Sequence, residues 1–252
     1  MAGSIETVRE NGVGLIRFTD PWVLDMPTRE AMAAAFTAFS ADPDIRAIVV
    51  SGGAEIFVKG DVRMLVDKYP DDLRALDLHR YWRPLLDCPK PVIAAAAGLA
   101  WGAGCELALM CDMIVADTTA QLAQPESRLG VMPGAGGSQR LVRTLGKQMT
   151  SYLLMTGNPI SGERAWQLGL ACELAPAGEA EATALALARH LAAQPPLSLA
   201  NIKRVLATGP DLPLAEAARL ENETWLGMFD TEDQKEGMAA AIEGRPPVFK
   251  GR

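Results

Sequence analysis

Short apolar runs punctuated by glycine and proline fill the first half of the chain, and stretches with helical spacing fill the second. Val13–Phe18 suits a strand and is broken by Asp20-Pro21. Apolar positions over 32–39 predict a helix with Thr28 as its cap, stopped at Asp42-Pro43-Asp44. Residues 46–50 form a β-branched strand that runs into Ser51-Gly52-Gly53. Strand, helix and strand within about forty residues predict a right-handed crossover unit. Residues 56–64 then read as a strand and a glycine turn. One long helix is expected over 71–88, with Leu73, Leu76, Tyr81 and Leu85 on or near one face, ended by Pro89-Lys90-Pro91. A buried strand over 92–97 leads into Gly102-Ala103-Gly104-Cys105, an apolar helix-favouring run covers 105–111, and 113–116 is a further strand.

Beyond Gly136 the pattern predicts helices over 138–145, 147–156, 162–168, 179–193, 197–207, 214–229 and 232–243, with one short strand near 171–174. Strand, turn and helix recur without a fixed-period repeat. Pro195-Pro196 divides a core of residues 1–194 from a helical region of residues 195–252. Many of these helices are alanine-rich with apolar stripes, as expected where helices pack on one another or on a neighbouring subunit.

At 252 residues the chain can bury a full core. Its hydrophobic content of 49% and mean hydropathy of +0.08 leave an apolar excess for subunit contacts. A net charge of −7, with no basic block, argues against a nucleic-acid partner. The opening residues suggest neither a signal nor a transit peptide, and no apolar run approaches the roughly 20 residues of a membrane span, so a cytoplasmic location is expected. Cys88, Cys105, Cys111 and Cys172 make no CxxC pair and read as buried thiols of a reducing compartment. His79 and His190 stand far apart without ligand-type neighbours, so no metal is expected.

Candidate chemistry centres on two glycine-rich turns. Glu106 follows the first, and Glu126 precedes the second, Pro133-Gly134-Ala135-Gly136-Gly137. The first turn of a helix carries N–H groups without internal acceptors, and glycine and alanine let a ligand approach them. The second turn lacks the lysine of a P-loop. The first lacks the third small residue of a dinucleotide fingerprint and places a carboxylate where a phosphate would be repelled. The lack of GxSxG, and of any histidine near the turns, argues against a serine hydrolase, and Cys105 has no paired base. The glycines could serve packing alone, and both carboxylates could be ordinary ones. If they share an apolar pocket, their pKa values are pushed apart, leaving one protonated and one ionised near neutral pH. That pair could add or remove water, or move a proton beside a carbonyl.

Residues 90–141, KPVIAAAAGLAWGAGCELALMCDMIVADTTAQLAQPESRLGVMPGAGGSQRL, closely resemble the enoyl-CoA hydratase/isomerase (crotonase) family. The resemblance continues through LLMTGNPISGERAWQLGL and the ending EGMAAAIEGRPPVF, and weaker matches reach back to Val13. It implies an α/β fold, the crotonase (ClpP-like) spiral of ββα units, with the C-terminal helical region building homotrimers or hexamers. It implies an acyl-CoA thioester substrate, with no cofactor beyond that coenzyme A. It places the thioester oxygen between two backbone N–H groups, one at Ala103 and one from the Gly60 turn. By the same analogy Glu106 helps activate water for attack at C3, and Glu126 supplies the proton to C2. Gly60, Asp61, Val62, Arg63, Gly102, Ala103 and Gly134 would bind substrate.

Several positions depart from the family pattern. Phe57-Val58-Lys59-Gly60-Asp61-Val62 is one residue short, so either Asp61 takes the donor place or the loop is shifted. A charged side chain there is compatible with an oxyanion only if it points away. Ala103 stands for the more usual glycine, Val23-Leu24-Asp25 for an AxN-type stretch, and Ala241 for a phenylalanine, which leaves the acyl preference open. The two glutamates together favour an enoyl-CoA hydratase. The rival readings are a double-bond isomerase using Glu126 alone, a thioester hydrolase or carbon–carbon lyase on the same oxyanion site, and an acyl-CoA binding subunit without turnover.

Overall fold

The structure, a computed structural model, describes residues 4–252. β1 (Ile5–Glu10) and β2 (Val13–Phe18) form a hairpin across Asn11-Gly12, both at positive φ, as a tight turn of this twist requires. β1 lies outside the expectations because most of its residues are exposed and it carries no apolar run.

From β2 the chain winds through repeated units of two strands and a helix. β3 (Val23–Leu24) and α1 (Met26–Ala41) complete the first unit. β4 (Ala47–Ser51), β5 (Ile56–Gly60), α2 (Pro70–Leu76) and α3 (Arg83–Leu86) form the second. β6 (Val92–Ala96), β7 (Leu99–Trp101) and α4 (Ala103–Met110) form the third. β8 (Met113–Asp117), β9 (Gln121–Ala123) and α5 (Gly137–Thr156) form the fourth. β10 (Ile160–Ser161), α6 (Gly162–Gln167), β11 (Glu173–Ala175) and α7 (Ala180–Ala192) close the body, followed by α8 (Pro196–Thr208), α9 (Leu214–Met228) and α10 (Glu232–Glu243).

The first strand of each unit joins a six-stranded sheet of order β1-β2-β4-β6-β8-β11, and the second joins a five-stranded sheet of order β10-β9-β7-β5-β3. Apart from the β1–β2 and β10–β9 pairs, every pairing is parallel. This is the expected ββα spiral. One core cluster includes Phe18, Phe36, Phe39, Phe57, Leu85 and Leu107. A second lies under α7, whose Ala180, Ala184, Ala188 and Ala192 form a stripe of small side chains that lets the helix approach Val13, Val49 and Ile93 closely.

Several expectations need correction. α1 is capped by Asp25, whose Oδ1 accepts from the Thr28 N–H at 2.9 Å; Thr28 lies inside the helix, because Pro27 fits its first turn. The single helix expected over 71–88 is broken. Asp77 adopts a left-handed conformation (φ 40°), a 3-10 turn spans Leu78–Tyr81, and Pro84 opens α3. The strand over 92–97 does not run into the Gly102 turn. Gly98, at φ 51°, redirects the chain into β7 first. Beyond residue 138, β10 adds a two-residue strand, and Gly146 at φ 73° separates the two helices expected within α5. Cys172 is exposed, whereas Cys88 and Cys105 are buried, and all four thiols are free.

α8 begins at the predicted proline pair. Neither α8 nor α9 has a buried residue, and Ile202, Leu206, Trp225 and Leu226 remain exposed. The C-terminal segment is tied back where the Asp233 carboxylate accepts from the N–H groups of Lys250 (2.6 Å) and Gly251 (2.8 Å). Lys203 pairs with Asp112 of the body at 2.8 Å. Among the described residues no helix is long and apolar enough to cross a membrane.

Candidate active site

The sheet register assembles the site. Leu24 pairs with Gly60, Lys59 with Trp101, and Trp101 with Ala123, so the carboxyl ends of β3, β5, β7 and β9 lie side by side. The segments leaving those ends are Asp25 with α1, Gly60-Asp61, Gly102-Ala103 with α4, and Gln124-Pro125-Glu126. Parallel strands bury their ladder groups and leave their carboxyl-end loops free to carry chemistry.

Gly102 holds φ 58° and ψ −122°, a conformation open to glycine, and starts α4. A Cβ on Gly104 would come within 1.9 Å of the Val58 carbonyl oxygen, so the second small residue lets α4 sit directly on β5. That approach sets the two predicted donors against each other. A Cβ on Gly60 would lie 3.2 Å from the Ala103 nitrogen. Among the described residues, neither the Ala103 nor the Asp61 N–H donates a hydrogen bond.

The Asp61 side chain is taken up by Arg63. Its Oδ1 accepts from the Arg63 N–H (3.0 Å) and Nε (2.8 Å), and its Oδ2 from Arg63 Nη2 (3.0 Å). These bonds hold the Asp61 carboxyl below its ordinary range. The short loop therefore presents a backbone donor with its charge folded back onto Arg63. Val62 and Arg63 lie exposed beside it.

Glu106, one turn into α4, is 3% exposed. Its Oε1 accepts from the N–H groups of Ala135 (2.7 Å) and Gly137 (2.9 Å), so the second glycine turn clamps a carboxylate of the first. Burial pushes the Glu106 carboxyl up. The two N–H donors and the Arg29 guanidinium oppose that push without cancelling it, so the carboxyl stays above its ordinary range. Glu126 is half-buried, and its Oε1 lies 3.2 Å from where a Gly102 Cβ would stand. Burial, followed by the charge on Glu106, raises it to about 7. Gly134 is exposed, with open space above it, next to Ala135. The predicted site residues thus gather beside the carboxyl ends of β5, β7 and β9. The site's equipment is two free N–H donors, a carboxylate held by donors that favour its ionised form, and a second carboxyl protonated in part at neutral pH.

Two residues of this neighbourhood escape the sequence reading. Gln124 is 1% exposed, and with its amide oriented to satisfy both ends it donates to Glu126 at 3.2 and 3.3 Å. Arg29 is 5% exposed and is the one charged residue on the buried face of α1. Its Nε donates to the Leu24 carbonyl at 3.0 Å, and its guanidinium lies 4.9 Å from the Trp82 ring centroid. The available signals were a glutamine two residues before the second glutamate, and an arginine in phase with Met32 and Phe36.

Residues 8–252 match the enoyl-CoA hydratase/isomerase family. A mitochondrial enoyl-CoA hydratase from Pongo abelii is 37% identical over 246 residues, covering 96% of this chain and 85% of that protein. The crystal structure of an enoyl-CoA hydratase subunit from Geobacillus kaustophilus superposes with a TM-score of 0.95 at 38% identity, covering 100% of this chain and 99% of that one. An enoyl-CoA hydratase from Bacillus anthracis gives 0.92 at 28% identity, covering 99% and 100%.

Proposed function

Because the chain belongs to the enoyl-CoA hydratase/isomerase family, we propose that it adds water across the C2–C3 double bond of a trans-2-enoyl-CoA thioester. The thioester oxygen sits between the Ala103 and Asp61 N–H groups. When oxygen attacks C3, electron density moves through C2 onto that oxygen, where the two donors stabilise it. Removing one such donor typically costs roughly 10²–10³ in rate. Glu106, as the carboxylate, takes a proton from the attacking water. Glu126, as the acid, gives a proton to C2, and the product is the 3-hydroxyacyl-CoA. The chemistry needs no group beyond these side chains, the backbone donors and the coenzyme A of the substrate. Gly60, Val62, Arg63, Gly102 and Gly134 line the approach.

The observation that carries this reading is the contrast between the carboxyls. Burial raises both, but Glu106 accepts two short backbone hydrogen bonds that oppose the rise and favour its ionised form, while Glu126 is raised to about 7. An isomerase using one carboxyl would leave Glu106 without a role. We also assign residues 195–252 to assembly into homotrimers or hexamers, on the exposed apolar side chains of α8 and α9.

The test is hydration of crotonyl-CoA and of a longer trans-2-enoyl-CoA, followed by loss of the conjugated-thioester absorbance, with Glu126→Gln alongside. Turnover abolished in the variant supports the assignment. Binding of acyl-CoA without turnover on either ester overturns it.

A further inference from the structure

A 3-10 turn, Pro125–Leu129, carries Glu126, and its side chains hold the rest of the fold at one place. Among the described residues, the side-chain hydrogen bonds that leave this turn for another element all go to the end of α5. Arg128 Nε donates to the Thr156 carbonyl at 2.9 Å, its Nη2 donates to the Asn158 side-chain oxygen, and the Ser127 hydroxyl donates to the Met155 carbonyl at 3.5 Å. The carbonyls in the last turn of a helix lack internal donors and carry the negative end of its dipole, so a guanidinium suits this place. Gly157, at φ 63°, ends the helix, and a Cβ there would stand 2.9 Å from Arg128 Nε and 3.1 Å from the Pro125 Cα. The turn therefore approaches α5 most closely through the residue just before Glu126. At its other end α5 begins with the Gly137 N–H, which together with that of Ala135 clamps Glu106. Donors at the start of α5 hold one carboxyl, and acceptors at its end hold the turn that bears the other.

We propose that Arg128 is a positioning residue for the reaction: by tying the 3-10 turn to the end of α5, it holds Glu126 where its proton reaches C2 of the bound thioester. This rests on the hydratase reading above, and Arg128 acts only through Glu126. The Arg128 charge is not among those that set the proton affinity of Glu126. The titratable groups that interact with Glu126 are Glu106 and Cys105, both on α4, and burial outweighs them. Removing Arg128 therefore changes Glu126 by moving the turn, not by removing a charge. A freed turn lets water reach the carboxyl, the burial that raises it to about 7 weakens, and its proton is lost at lower pH. Misplacing a reacting group by about 1 Å costs up to about 100-fold in rate.

The experiment follows hydration of crotonyl-CoA against pH in the wild type, Arg128→Met and Arg128→Lys. Alongside it, infrared difference spectra titrate the Glu126 carboxyl, whose band is identified by its loss when Glu126→Gln is added to each protein. Arg128→Met should lower kcat roughly 10- to 100-fold with KM within about threefold. It should also move the alkaline fall of kcat/KM and the Glu126 midpoint to lower pH by at least about half a unit. Arg128→Lys keeps a charge at the helix end but cannot span Thr156 and Asn158 with a fork, so its values should fall between those of the other two proteins. An unmoved pH profile and carboxyl midpoint in Arg128→Met overturns the proposal, whatever the loss of rate. A rise in KM with kcat unchanged also overturns it and places Arg128 on the substrate. Should Arg128→Met fail to fold, the two midpoints in Arg128→Lys decide in the same way. If the wild type hydrates no ester, the proposed reaction falls, and the infrared midpoint alone then tests the hold of Arg128 on Glu126.

Discussion

Replacing Glu106 in two ways separates its chemistry from its structural bond. In Glu106→Gln the amide oxygen can still accept from the Ala135 and Gly137 N–H groups, at 2.7 and 2.9 Å in the parent. The loss of charge-assisted bonding is offset by the lower cost of burying a neutral group, so stability should stay within about 1 kcal/mol. The general base is gone, so hydration should fall roughly 10²–10⁴-fold. Glu106→Ala also removes the acceptor. The Gly137 N–H is buried and the Ala135 N–H only partly so, which leaves one donor stranded and one within reach of water. At about 1–3 kcal/mol for each unsatisfied buried donor, plus the cavity left by the side chain, the net loss should be about 2–4 kcal/mol. Urea unfolding at an unchanged slope measures the stability difference, and loss of enoyl-thioester absorbance measures turnover. Hydration within about threefold of wild type in Glu106→Gln would refute the catalytic role, and equal stability of the two variants would refute the clamp.

Three further outcomes follow from the same geometry. The reaction needs Glu126 protonated, so kcat/KM should fall as pH rises through about 7, and Gln124→Met, which removes a donor favouring the ionised form, should move that fall to higher pH. A flat profile between neutral and mildly alkaline pH would count against Glu126 as the acid. Gly104→Ala places a methyl group 1.9 Å from the Val58 carbonyl oxygen, and the forced separation of α4 from β5 should cost more than about 3 kcal/mol by chemical denaturation and misplace the Ala103 donor. Arg63→Ala frees the Asp61 carboxylate beside the oxyanion position and should lower kcat about tenfold, while Asp61→Asn in the same protein should recover most of it, since the N–H donor is untouched. Failure of the second substitution to rescue would show that Arg63 acts on substrate directly.

The first strand of each unit, the helical C-terminal region, and Glu106 and Glu126 with their glycine turns were legible in the chain because each is a local pattern, whereas the ββα spiral was implied by the family resemblance of residues 90–141. Apolar runs bounded by Gly98, Pro91 or Asp42-Pro43 delimit strands and helices through backbone sterics that act within a few residues. The same locality failed for β1, which is mostly exposed and has no apolar run, and for β9 and β10, which are short and held by a neighbouring strand more than by their own composition. It also failed over 71–88, where helical spacing persists although Asp77 and Pro84 break the backbone. Sequence alone could place Asp61 in the Gly60 turn but could not say where its charge points. That depends on Arg63 folding back, and on Gly60 meeting Ala103 across two strands that lie far apart in the chain. Arg29 and Gln124 come into the neighbourhood of the two glutamates only when β3, β5, β7 and β9 align their carboxyl ends. The residues supply the chemical groups. Parallel pairing between distant segments decides which groups come together and how deeply each is buried.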